Sequence, residues 1–173
     1  MGEAERGAAR GDRPLRVVAT AYACEPHLGS EAEVGWQWAR QIALRHELWL
    51  ITRRNQVPAL AAEARRQGLA SMHLVGHELP KVLLRRKRGG LRVRRYYYLW
   101  QVSAAWRARD LDREIGFDLS HHLTFVTSWI PSFLGLLRPP FIWGPLGRHP
   151  PAPPAFSLRC GLRAAAFDAA RAL

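Results

Sequence analysis

Acidic residues are scarce in this chain. Its 173 residues include 14 Asp and Glu against 26 Lys and Arg, a formal net charge of +12. Cysteine is scarcer still. Cys24 and Cys160 lie far apart and lack metal-ligand spacing. That argues against a disulfide and a cysteine metal site, and predicts reduced thiols in a cytoplasmic setting. Long hydrophobic runs are missing too. The most apolar stretch, 125–137, holds Thr127, Ser128, Pro131 and Ser132, and it falls short of the ~18 residues a spanning helix needs. Residues 1–14 have no apolar core of the signal-peptide kind. Arg6 stands where a myristoylation signal has Ser or Thr. This segment reads as a flexible lead-in. Neither G-x-G-x-x-G nor G-x-x-x-x-G-K-[ST] occurs, which argues against an NAD-linked oxidoreductase and a P-loop enzyme. No nucleic-acid motif accompanies the positive charge, so no nucleic-acid partner is expected.

What is present suits one α/β domain with a core. Apolar residues make up 48% of the chain and include 7 tryptophans, too many for wholesale disorder. Residues 15–22 (LRVVATAY) read as a buried first strand. After a loop with Pro26 and Gly29, the run Ser30-Glu31-Ala32-Glu33 fits a capping box, with Glu33 reaching back to the Ser30 amide. In the helix that follows, Val34, Trp38 and Ile42 make one apolar stripe. Residues 47–52 read as a second strand, 57–67 as an Ala-rich helix stopped by Gly68, and 71–75 as a third strand. A long helix is predicted over 92–115, with Leu99, Val102, Trp106 and Leu111 inward and Gly116 ending it. Then come a fourth strand over 117–122, a short helix over 128–137 and a fifth strand over 141–143. Residues 144–147 turn the chain. Residues 150–173 read as a Pro-rich linker and a final helix from about Ser157. The alternation predicts a Rossmann-like parallel sheet with flanking helices across 15–149.

In such a sheet, ligands bind beyond the carboxyl ends of the strands, which singles out the loops 23–31, 122–128 and 144–149. Gly29 permits close backbone approach, and Ser30 opens a helix whose N-terminus favours an anion. Glu25, Glu31 and Glu33 oppose a second anion, and the same residues also fit an ordinary capped helix. His121 and His122 are strand neighbours and point to opposite faces. One is expected to pack under a helix and the other to face a cleft as proton acceptor or sugar ligand. Two satisfied structural histidines fit the spacing equally well. No third ligand lies near them, so no metal is expected. One block, Lys81, Arg85, Arg86, Lys87, Arg88, Arg92, Arg94 and Arg95, has no acid among it. It suits an anionic partner or a solvated face.

Several blocks together carry a family resemblance. Tyr22-Ala23-Cys24-Glu25-Pro26, Gly29-Ser30-Glu31 and Val34-Gly35-Trp36 resemble the Y-A-C-E-P-x-x-G-S-E-x-x-V-G-W opening of a bacterial subgroup of family 4 glycosyltransferases. The resemblance continues in order through Tyr97-Tyr98-Leu99-Trp100-Gln101, His122-Leu123-Thr124-Phe125 and Pro140-Phe141-Ile142-Trp143-Gly144-Pro145-Leu146-Gly147. It implies a GT-B fold, two Rossmann-like domains facing across a cleft, of which this chain is the N-terminal, acceptor-side half. It further implies metal-independent transfer, usually retaining, from a nucleotide-sugar to a saccharide or lipid-linked acceptor, with no cofactor. Gly29, Ser30 and Glu31 would approach the donor, and His122, or else His121, would face the donor sugar. Thr124, Gly144 and Gly147 would line the same cleft. Relatives usually run G-P-x-G-G-G-E in the third loop, where this chain has Gly144-Pro145-Leu146-Gly147-Arg148-His149. The family's glutamate pair belongs to a second domain that these residues do not contain. The resemblance therefore implies a truncated enzyme, or one completed by a partner chain, with little activity alone. It also implies a peripheral place at the inner membrane face. There the basic block, with Tyr96, Tyr97, Tyr98 and Trp100 as interfacial aromatics, would meet anionic lipid.

Overall fold

Short β-branched and apolar runs, each followed by a turn and a helix, build the architecture. The computed structural model describes residues 13–80, 90–124, 131–146 and 153–166. Strands β1 (Arg16–Ala21), β2 (Glu47–Arg53), β3 (Met72–His77), β4 (Leu119–His122) and β5 (Phe141–Trp143) form a five-stranded sheet in the order β3-β2-β1-β4-β5. Every pairing is parallel. Helices α1 (Ser30–Ala43), α2 (Val57–Arg66), α3 (Gly90–Ile115) and α4 (Pro154–Arg159) accompany it. The fold is α/β and Rossmann-like.

Alternation along β1 divides the core. Val17, Ala19 and Ala21 pack with Trp36, Ala39 and Ala43 of α1 and Leu60 and Ala64 of α2. Val18 and Tyr22 pack on the other face with Tyr97, Trp100, Ala104 and Ala108 of α3. A sheet covered on both faces needs continuously apolar strands, and the buried runs of β1 and β2 supply them.

The helices differ in phase from the expected stripes. On α1 the buried residues are Ala32, Gly35, Trp36, Ala39 and Ala43, while Val34 and Trp38 are 38% and 44% exposed. On α3 Leu111 is inward as expected, but Leu99 and Trp106 face outward. Small residues explain both rotations. Helix and sheet approach closely where alanine and glycine meet the strands, and that contact fixes the phase. Tyr96, Tyr97 and Trp100 are correspondingly buried, so they are not interfacial aromatics.

The capping box does not form. Gly29, at φ 72°, takes the N-cap position, and no side chain caps the helix. Glu33 is therefore one residue too far in. Its Oε2 accepts from the His27 amide at 2.6 Å and its Oε1 from Gln37 Nε2 at 2.7 Å. The expected helix over 128–137 is replaced, within the described part, by a 3-10 turn at Phe133–Leu136; 125–130 lie outside the described residues. Ser132 and Leu137 are both in extended conformation and bound the turn at each end. The last helix begins earlier than expected, at Pro154.

Gly35 sits where α1 crosses the loop after β1. A Cβ there would collide with the Ala23 carbonyl oxygen and come within 2.7 Å of Thr124 Cγ2. Helix propensity alone favours alanine by about 0.5–1 kcal/mol. A backbone carbonyl cannot rotate aside, so overpacking outweighs that gain. Gly35→Ala should lose about 1–3 kcal/mol of stability, read as a lower urea midpoint. An unchanged or raised midpoint would refute the close approach.

Candidate functional site

The strand order reverses beside β1. The chain runs outward through β2 and β3, then returns to place β4 on the other side of β1. Such a switch point opens a crevice at the carboxyl ends of the two strands. Thr20 pairs in register with His122, and His122 with Trp143. The end of β1, the histidine pair and Gly144 are thereby neighbours.

The loop after β1 is held in unusual backbone conformations. His27 and Ser30 have φ of 64° and 52°, a region costly for side-chain-bearing residues. With Gly29 they turn the chain sharply into α1 and leave Gly29 and Ser30 exposed at its N-terminus. Glu31 and Glu33 occupy the first turn, where their charge complements the helix dipole. The loop is braced from β2: Arg53 Nε donates to the Tyr22 carbonyl at 2.9 Å, with its guanidinium 4.8 Å from the Tyr22 ring centre. Buried Cys24 lies in this loop. Burial, helped by Glu33 and Glu25, pushes its thiol up to about 12, so it is neither a thiolate nor a ready nucleophile at neutral pH. Both cysteines are free.

The two histidines do point to opposite faces, and both are buried. His122 lies under α3 and is 2% exposed. Its Nδ1 is 2.9 Å from Thr20 Oγ1, and its Nε2 is 3.2 Å from the Tyr97 hydroxyl and from Gln101 Nε2. Gln101 also donates to the Tyr97 hydroxyl. Burial, with His121 adding, brings the His122 pKa down to about 4, so its imidazole is neutral at pH 7. His121 lies on the α1 side, edge-on to the Trp38 ring at 5.8 Å. Its Nε2 donates to the Gly144 carbonyl at 2.9 Å. Burial lowers its pKa as well, partly offset by that bond.

Thr124 is enclosed. Its Oγ1 accepts from the Ala23 amide at 3.2 Å and its carbonyl from the Tyr97 hydroxyl at 3.3 Å. It clamps the end of β4 to the loop after β1. Gly144 follows β5 beside His121. Gly147 lies outside the described residues, as do Lys81, Arg85, Arg86, Lys87 and Arg88. Arg92 and Arg94 fall within α3, and Arg95 is exposed on it.

The partners of the histidines are not evident from sequence motifs. Tyr97 and Gln101 stand four apart on α3, a spacing that puts two polar side chains on one face. That was the available signal, once the face was known to be inward. Trp143, the register neighbour of His122, keeps a buried indole N–H with no acceptor among the described residues. Among the described residues no group of His, Cys, Asp or Glu is arranged to hold a metal ion, and no helix is long and apolar enough to cross a membrane. Set against protein-family models, curated proteins and solved structures, the chain matches none.

Proposed function

We propose that the chain is the acceptor-side domain of a GT-B glycosyltransferase, moving a sugar from a nucleotide-sugar to a saccharide or lipid-linked acceptor when a second domain closes the cleft. The observation that carries this reading is the switch point. Gly29 and Ser30 lie beyond β1, His121 and His122 end β4, and Gly144 follows β5. These are the motif blocks of the family resemblance, distant in sequence and adjacent in the sheet.

In this reading the exposed turn at Gly29 and Ser30 brings backbone amides of the α1 N-terminus toward the donor diphosphate. Glu31 stands beside them and limits the site to a ligand whose charge is also held from the opposite domain. His121, beside Gly144 at the end of β4, would be the partner for a sugar hydroxyl, while enclosed His122 ties Thr20 to Tyr97 and Gln101 beneath the crevice. Transfer needs the leaving diphosphate stabilised and both substrates aligned, and most of that stabilisation would come from the second domain. The setting is cytoplasmic, at the inner membrane face.

Purified chain should therefore turn over a panel of nucleotide-sugars hardly at all. Activity should emerge when a chain carrying the paired glutamates is added. Transfer by the isolated chain at the rate of a complete enzyme would overturn the half-site reading. Failure to bind or use any donor in the reconstituted pair would favour the second reading, a non-catalytic acceptor- or membrane-binding module. The enclosure of His122 beneath α3 is the observation on that side.

A further inference from the structure

The ladder between β1 and β2 ends at the pair Ala21 and Thr52, yet the backbone just beyond it is still paired, by a side chain. Gln56 closes the 3-10 turn Arg54–Gln56 between β2 and α2 and is 1% exposed. Only one orientation of its amide gives every neighbour a partner. In it, Nε2 donates to the Tyr22 carbonyl at 3.1 Å and to Thr52 Oγ1 at 2.9 Å, while Oε1 accepts from the Cys24 amide at 3.3 Å and from the Arg53 guanidinium at 2.8 Å. A residue in a parallel ladder bonds its neighbour in the same way: it donates to the carbonyl before the residue opposite and accepts from the amide after it. The Gln56 side chain therefore stands in for a strand residue opposite Ala23 and carries the ladder into the loop after β1.

We propose that Gln56 is a positioning residue for the exposed turn at Gly29 and Ser30, which rests on the reading of that turn as the donor-facing one. His27 and Ser30 hold φ of 64° and 52°, a strained run that persists only where its surroundings hold it. The turn itself is exposed, so the constraint has to come from its base. That base is gripped from three sides. Gln56 and Arg53 hold Tyr22 and Cys24 from the β2 side. Thr124 accepts from the Ala23 amide on the β4 side, and Gly35 of α1 lies against the Ala23 carbonyl. Other bonds of the loop, from the Glu25 amide to the Ala32 carbonyl and from the His27 amide to Glu33, run to α1 itself and do not anchor it to the sheet. Gln56 is the side chain that bonds the backbone on both sides of Ala23. Without it the buried Cys24 amide loses its partner. The turn can then relax toward unstrained angles, which carries the first amides of α1 away from a donor diphosphate.

Hydrogen exchange of the full 173-residue chain tests the positioning without any transfer assay. The Cys24 amide lies outside β1, yet it should exchange as slowly as the amides of Val18 and Ala19 within that strand. Gln56→Leu, close in size but without the amide, should speed exchange at Cys24 about tenfold more than at Val18 and Ala19, the equivalent of one hydrogen bond. A fast Cys24 amide in the native chain would overturn the proposal whether or not the variant folds. Equal acceleration at all three amides would also overturn it, because Gln56 would then stabilise the core as a whole. The pair formed with a chain carrying the glutamates gives the second readout, with UDP-glucose, UDP-N-acetylglucosamine and GDP-mannose as donors. Gln56→Leu should raise KM for the donor about tenfold, the same loss expressed in binding, and leave KM for the acceptor unchanged. An equal rise in both would count against a role at the turn. Absence of transfer from all three donors by the native pair would sink the donor-facing reading, while the exchange data would still decide whether Gln56 holds the turn.

Discussion

Replacing Trp100 by alanine should remove about 3–5 kcal/mol of stability, a large share of what a domain of this size has. Trp100 is fully buried at the centre of the core between α3 and the sheet. Its ring meets Tyr22 edge-on at 5.2 Å and lies 5.8 Å from His77. Its indole N–H donates to the His77 carbonyl at 3.1 Å. Truncation would open a cavity and strand that carbonyl, so transfer, cavity and hydrogen-bond losses act together. Trp100→Phe should recover most of the packing but not the bond, leaving a deficit of about 1–2 kcal/mol. Trp106→Ala, six residues on, should change stability by no more than about 0.5 kcal/mol, because its ring is on the surface. Urea titrations followed by circular dichroism, with m-values compared, read all three. Equal losses for Trp100→Ala and Trp106→Ala would mean that the phase assigned to α3 is wrong.

Acid should destabilise the fold well before its carboxylates titrate. His122 is held neutral, with a folded pKa near 4 against an unfolded value of 6.5. Protonation therefore favours the unfolded chain. The stabilisation is complete above pH 6.5 and is lost as pH falls toward 4. The loss reaches about 3 kcal/mol for this residue, at 1.36 kcal/mol per pH unit. Burial lowers the pKa of His121 and His77 too, and they act in the same direction. Unfolding free energy measured across this window should fall with a slope greater than one proton. His122→Gln, which cannot titrate, should flatten the slope by about one proton's worth, whatever it does to stability at pH 7. An unchanged slope in that variant would show that His122 is not the buried neutral group.

The elements were legible in sequence because each has a local cause. Apolar β-branched runs between loop residues give β1 and β2, and Gly68 and Gly116 stand just past the ends of α2 and α3. Alternation along a strand put His121 and His122 on opposite faces before any packing was known. Other features were hidden. Leu99, Val102 and Trp106 look like a core stripe by hydrophobicity, yet Tyr97, Gln101, Ala104 and Ala108 are the buried set. A helix with two apolar sides gives periodicity no means to choose between them. The polar environment of His122 was equally hidden, since Thr20, Tyr97 and Gln101 come from two elements whose adjacency is a property of the sheet.

Apart from the helix expected over 128–137, which is a 3-10 turn in its described part, the sequence by itself determined the kinds and succession of the main elements, the parallel α/β class and the opposed directions of the two histidines, because each follows from local sterics and backbone period. The tertiary structure alone decided that β1 lies between β2 and β4, which side of α3 is inward, and that His122 is enclosed. Those outcomes turn on how closely small residues let helices approach the sheet, and on contacts between segments that are far apart in the chain.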